Sequence, residues 1–282
     1  MATITAALIK ELRDQTGAGM MDVKKALTEA DGDVDRAKEI IRAKGIQAAG
    51  AREGRKAQEG LIASTVVDGG QGQIGYAIEL NSETDFVAKT PQFVEFGEEV
   101  VADVAKAGAS TAQEAEQAAS KSGTVHETVE EAAALFHEHV KVGQYAKVEG
   151  PHVEIYAHRK SVEMPPSIVA MIATDEAGAS VAHEAALQIS AMSPQWLTRE
   201  DVPEDVVESE RRVATEKSQA EGKPEQIIPK IVEGRLNAFY KETVLLEQQY
   251  VKDPSQTVGD LFKKAGGQAL AFARLEVGKG EE

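Results

Sequence analysis

Cysteine is absent from this 282-residue sequence. Its absence excludes a disulfide framework and thiolate chemistry, and it is compatible with a reducing compartment. No apolar run reaches the ~20 residues that a bilayer-spanning helix needs. The N-terminus, M-A-T-I-T-A-A-L-I-K-E-L-R-D, carries charge from Lys10 onward and lacks the unbroken apolar centre of a signal peptide. A cytoplasmic protein without membrane contact is expected. Positive charge is also in deficit, with a formal net charge of −16. The deficit is uneven: residues 1–56 hold eleven Lys/Arg against nine Asp/Glu, and the remainder holds twenty against thirty-eight. Such acidity argues against direct nucleic-acid binding, where Lys and Arg neutralising phosphates supply most of the affinity. It also serves plain solubility.

The motifs of several enzyme classes are missing. No G-x-x-x-x-G-K-S/T occurs, so a P-loop cradle for a triphosphate is excluded. Gly17-Ala18-Gly19 follows a helical pattern instead of a strand, which disqualifies it as a dinucleotide fingerprint. No G-x-S-x-G supplies a nucleophile elbow. His137-Glu138-His139 is the one close histidine pair, and a spacing of two on a helix aims the rings at different faces. With H-E-x-x-H also missing, no zinc site is expected. The many carboxylates include no pair that stands out as an acid/base couple. No catalytic residue, metal ligand or cofactor is assigned.

What is present is a protein with an apolar fraction of 42% and a charged fraction of 28%, ordinary for soluble globular chains and long enough for one to three domains. Residues 1–45 read as three short helices. Ile4, Leu8 and Leu12 step by four, and Thr3 or Thr5 can cap the start. Gly17 and Gly19 end that helix. Val23, Ala26, Leu27 and Ala30 line the second, and Asp31-Gly32 turns the chain. Asp33 caps the third, in which Val34, Ala37, Ile40 and Ile41 face inward and Gly45 closes the helix. Met20 and Met21 fill gaps in this small core, or with Leu12 they form an adaptable apolar patch, a use that suits methionine. Residues 46–59 read as a Gly/Ala-rich basic linker.

From Gly60 the apolar period becomes that of strands. Leu61–Val67 and Gln73–Leu80, joined through Asp68-Gly69-Gly70-Gln71-Gly72, read as a β-hairpin. A helix from about Pro91 to Lys106 buries Phe93, Phe96, Val100 and Val104. Helical pieces follow to residue 140, anchored by Val125, Val129, Leu135 and Phe136. Val142–Val148, His152–His158 and Ser167–Thr174 read as strands, and Ala179–Ser190 as a helix. Pro194–Pro203, with the only tryptophan at Trp196, breaks the pattern. At about 204–248, Val206, Val213 and Ala220 face Ile228, Val232, Leu236, Phe239, Thr243 and Leu246 across Gly222-Lys223-Pro224. That spacing predicts an antiparallel coiled-coil hairpin. Tyr250–Lys252, Thr257–Ala265 and Leu270–Val277 read as strand, helix and closing strand. The expected fold class is α+β: a three-helix module (1–45), a linker (46–59), a first core lobe (60–140), and a second lobe (141–282) carrying the hairpin.

Between the first hairpin and its helix runs N-S-E-T-D-F-V-A-K, Asn81–Lys89. Strand-to-helix junctions are where a rigid scaffold presents functional side chains. Phe86 is the unusual residue there. It folds back into the core, or it stands out as a probe for another protein. His158, in a strand ending before Arg159-Lys160, is the histidine set aside as a further candidate.

Two stretches carry a resemblance. Leu12–Leu27 reads L-R-D-Q-T-G-A-G-M-M-D-V-K-K-A-L, and Thr84–Lys89 reads T-D-F-V-A-K. Both resemble signatures of the bacterial translation elongation factor Ts family, and the order of parts fits along essentially the whole chain. The resemblance implies a guanine-nucleotide exchange factor for elongation factor Tu, binding its GDP-bound and nucleotide-free forms, with no covalent chemistry of its own. It implies that Thr84, Asp85, Phe86 and Val87 displace the partner's magnesium. It further implies that Leu12, Met20 and Met21 of a ubiquitin-associated-like module pack on the same partner domain, and that His158 contacts another. Longer members carry a further helical segment after the closing strand, and any contact made there is expected to be absent. A homo-oligomer is compatible with the sequence. The rival from another class is an acidic interaction or scaffold protein whose helical head binds partners without exchange activity.

Overall fold

The computed structural model describes residues 4–16, 18–50, 52 and 54–280, without the side chains of 46–50. The roles given to Thr3 and Gly17 lie outside the described residues. Helices α1 (Ala6–Thr16), α2 (Met20–Glu29) and α3 (Val34–Gly50) form the N-terminal module. Thr5 Oγ1 accepts the Leu8 N–H at 3.1 Å, and Asp33 Oδ1 accepts the Arg36 N–H at 3.0 Å, so both helix starts are capped. Leu12, Val23, Ala26, Leu27 and Ala37 are buried together. Asp31 and Gly32 take positive φ at the α2–α3 turn.

Gly45 does not close α3, which runs on to Gly50 through the first five residues of the expected linker. The reason is tertiary. A Cβ on Gly45 would lie 2.8 Å from the Ala134 Cβ, so glycine here lets α3 approach another helix closely. That helix is α7 (Val125–Phe136), and Arg42 pairs across the contact with Glu131. The module is docked on the body along α3.

The body begins with β1 (Glu59–Asp68) and β2 (Gln73–Ser82), followed by α4 (Asp85–Ala88), α5 (Pro91–Ala107) and α6 (Ala112–Gln117). A short ribbon of β3 (Ala119–Ser120) and β4 (Gly123–Thr124) leads into α7 (Val125–Phe136). Strands β5 (Lys141–Gly150), β6 (His152–Arg159) and β7 (Pro166–Thr174) precede α8 (Ala179–Met192). Helices α9 (Glu204–Ala220) and α10 (Ile228–Thr243) form the antiparallel pair. The chain closes with β8 (Gln249–Tyr250), β9 (Asp253–Thr257), α11 (Val258–Ala265) and β10 (Ala269–Glu276).

Among the described residues, two antiparallel three-stranded sheets result, ordered β1-β2-β5 and β10-β7-β6. The first sheet does not end before residue 141, because β5 pairs with β2. The sheets pack face to face. Ile62, Ala77 and Val148 from one meet Val153, Val169, Met171, Ala173 and Leu275 from the other. Alternate residues point outward to helices, as the two-residue period of a strand requires. Leu61, Ala63, Tyr76, Ile78 and Leu80 meet α5, α6 and α7. Ala170 and Ile172 meet α8 and α11. The order is helices, sheet, sheet, helices.

Two expected seams moved. Val213 is exposed, and α9 instead buries Ala214 and Ser218 against Val232 and Leu236 of α10. The sparse apolar residues of α9 could not show which face was inner. Leu135 is exposed too, since the inner face of α7 is made by Val125, Val129, Ala132 and Ala133.

Gly75 sits between the sheets, where a Cβ would lie 2.8 Å from Val153 Cγ1 and 3.3 Å from Met171 Sδ. Gly75→Val is expected to lose about 1–3 kcal/mol of unfolding free energy by overpacking, read by urea denaturation.

Candidate functional site

Ser82 ends β2, and the chain turns at once into the single helical turn α4. Thr84 is its N-cap, and its Oγ1 accepts the Val87 N–H at 3.4 Å. The same hydroxyl donates to Glu138 Oε1 at 2.5 Å, and the Thr84 N–H donates to Glu138 Oε2 at 3.0 Å. Both polar groups of the cap are thus held by one carboxylate from the segment before β5. Ser82 Oγ donates to the Thr84 carbonyl, and Thr90 Oγ1 donates to the Val87 carbonyl. Ala88 is buried, and Val87 packs partly against the core behind it.

Beside the turn, Glu83 Oε1 accepts the His139 N–H at 2.7 Å, and Arg55 Nη1 lies 3.4 Å from the same carboxylate. His139 Nδ1 lies 2.8 Å from the Arg55 carbonyl oxygen. The His139 hydrogen bond holds Glu83 below the usual carboxylate range; burial opposes this and Arg55 reinforces it.

On this fastened turn Phe86 stands outward, 70% exposed. Lys89 Nζ lies 4.4 Å from its ring centroid and 3.9 Å from Asp85 Oδ2. The ammonium covers one face of the ring and neighbours the Asp85 carboxylate. Each of these surface contacts contributes about 0–1 kcal/mol. They bias the ring without burying it. Of the two readings left open by the sequence, the exposed one describes this conformation.

The other candidates lie elsewhere. Met20 and Met21 open α2 at 52% and 63% exposure, so both stand outside the module's core. Leu12 does not join them on the surface: at 1% exposure it is a core residue of α1. The four-residue step that runs from Leu8 to Leu12 aims it inward. His158 is exposed on β6, an edge strand of the second sheet. Its Nδ1 lies 3.2 Å from the Tyr156 hydroxyl, and the Tyr156 ring meets His183 edge-on. Glu154 Oε1 in turn lies 2.8 Å from His183 Nδ1.

Sequence reasoning missed Glu138. The pattern put it on a helix between two histidines, but α7 ends at Phe136 and His137 takes φ 57°. That turn redirects Glu138 toward Thr84. Among the described residues, no group of three or more His, Asp or Glu side chains is placed to hold a metal ion, and no helix is long and apolar enough to cross a membrane.

The family model described as Elongation factor TS matches residues 83–279, which takes in the Thr84–Val87 turn and most of the body. The chain belongs to the elongation factor Ts family. Elongation factor Ts of Bifidobacterium animalis subsp. lactis is 79% identical over 282 residues, covering 100% of this chain and 99% of the relative. That of Bifidobacterium adolescentis is 77% identical over 289 residues, with the same coverage. That of Beutenbergia cavernae is 51% identical over 281 residues, covering 99% of this chain and 100% of its own. These full-length matches extend across the N-terminal module, which the family model leaves out.

Because Glu83 is depressed, its contribution to folding is present above its ordinary value of 4.5 and fades as the pH falls through the lower folded value. Glu83→Gln should therefore be less stable than the parent chain at neutral pH. That gap, read by denaturant titration at several pH values, should narrow on acidification.

Proposed function

We propose that this chain is a guanine-nucleotide exchange factor for elongation factor Tu in translation elongation, and that it drives GDP release with the Asp85–Phe86 tip. The observation that carries this reading is the exposed Phe86 ring on a turn whose cap is fastened by two hydrogen bonds to Glu138. A large apolar group held out in water forgoes roughly 1.5–3 kcal/mol of burial free energy. That free energy becomes available when a partner covers the ring.

The mechanism is linkage. A factor that binds the nucleotide-free partner more tightly than the GDP-bound one weakens GDP binding by the same ratio. Nucleotide phosphates depend on Mg²⁺ for charge neutralisation. Phe86, wedged beside the metal's outer sphere, disturbs the water and side chains that hold it. Asp85 brings a carboxylate to a cation site and competes for its donors. Thr84 and Val87 keep the tip in place: one caps the turn, the other anchors it to the core. GTP then enters because it is abundant. The factor makes and breaks no covalent bond.

Met20 and Met21 present a second contact from the N-terminal module, which we read as ubiquitin-associated-like. Their flexible thioethers suit an apolar partner surface. Leu12 supports that contact from inside the module. His158 marks a third contact on the second sheet. We read α9 and α10 as a coiled coil, with no role assigned to it in exchange.

Stopped-flow release of GDP from elongation factor Tu tests the reading. The chain should accelerate release, and Phe86→Ala should lower the acceleration by roughly ten- to hundredfold while weakening complex formation far less. Unaltered GDP release with the parent chain would remove the exchange reading and favour a scaffold protein. Equal loss of rate and affinity in the variant would remove the wedge. Joint replacement of Met20 and Met21 by alanine should weaken complex formation about tenfold at unchanged far-ultraviolet circular dichroism.

A further inference from the structure

We propose that Glu79 is a positioning residue for the Thr84–Val87 turn, acting through a β-bulge that decides which side chain meets Thr84. The proposal rests on the reading of that turn as the exchange element.

Glu79 lies on β2, 1% exposed, with four N–H donors converging on its carboxylate. Oε1 accepts from Asn81 Nδ2 at 2.6 Å and from the Gly278 N–H at 2.7 Å. Oε2 accepts from the Gln144 N–H at 3.0 Å and from Gln144 Nε2 at 2.7 Å. Among the described residues, no cation contributes to this set. A buried acidic side chain without a cationic partner is costly to keep, and here its work is local.

That work is visible in the register. Tyr76 pairs with Lys147 and Ile78 with Tyr145, but Leu80 pairs with Val142. Gly143 and Gln144 therefore face Glu79 alone, the two-against-one arrangement of a bulge. A bulge frees backbone groups from the ladder, and the Glu79 carboxylate takes the Gln144 N–H. Gly143 leaves room for it: a Cβ there would lie 2.5 Å from Asn81 Oδ1 and 2.6 Å from Glu79 Oε2.

Beyond the bulge Asn81 faces Lys141, and the same register continued sets Thr84 opposite Glu138. Without the extra residue, His139 would stand there instead. A slip of one residue turns every side chain to the opposite face. Glu138 would then leave Thr84, and the backbone N–H of His139 would leave Glu83. Glu79 also binds Gly278, and Gln144 Nε2 binds the Glu276 carbonyl, so the segment following β10 is tied to the same peg.

Glu79→Gln keeps the shape but turns one acceptor into a donor facing two donors, whichever way the amide is rotated. Amide hydrogen exchange at Thr84 and Val87 of the free protein should speed up roughly tenfold, with exchange in α10 unaltered. Acceleration of GDP release should fall roughly tenfold, with a smaller loss of affinity. The two losses should not multiply: Glu79→Gln placed on Glu138→Gln should cost less than about twofold more. Gln144→Ala, which removes one donor, carries the same test at about threefold should Glu79→Gln not fold. Multiplying losses, or a lowered melting temperature with unchanged exchange at Thr84, would overturn the proposal and leave Glu79 as core structure only. Phe86→Ala in the same assay separates the two claims. If it leaves GDP release unaltered, the role of the turn fails, and hydrogen exchange at Thr84 still decides whether Glu79 positions it.

Discussion

The two sheets meet across a layer of small and branched side chains, and that contact sets the rest of the architecture. Ala77, Ala173 and Gly75 let the sheets approach closely, and Val153, Val169 and Met171 fill the space between them. With one face of each sheet used in this way, the other face must be covered by helices, because an apolar sheet face left in water is unstable. Helices α5, α6 and α7 cover one side and α8 and α11 the other. The chain passes from the first sheet to the second at Gly150-Pro151, between β5 and β6. A boundary at residue 140 would have cut the first sheet apart.

The Thr84–Val87 turn inherits its rigidity from this body. It follows β2, the central strand of the first sheet, and its cap is held by Glu138 just ahead of β5, the strand on one edge. The hydrogen bonds to Thr84 and the burial of Ala88 fix the turn, and Phe86 is left exposed on it. Met20 and Met21, on α2, and His158, on β6, stand on elements separate from that turn.

Much of the fold was legible because apolar periods are local. The β1–β2 hairpin, α5 with Phe93, Phe96, Val100 and Val104, and the caps at Thr5 and Asp33 all fall where residue patterns placed them. The seam of α9 did not. Its few apolar residues fit more than one heptad frame, and only the α10 surface selects Ala214 over Val213. The end of α3 lies beyond Gly45 for a related reason. Glycine stops a helix when nothing compensates it, but Gly45 has Ala134 against it.

The sequence by itself determined the family, the α+β class and the position of the T-D-F-V-A-K turn between a strand and a helix, because these rest on contiguous residues. Only the tertiary structure decided that Phe86, Met20 and Met21 stand in solvent while Leu12 does not. Exposure depends on what packs against a residue, and adjacent apolar residues look alike in a string. Tertiary structure likewise decided that Glu138 holds Thr84 and that Glu79 pegs the bulge behind them. Strand register joins residues more than fifty positions apart, and no local pattern carries it.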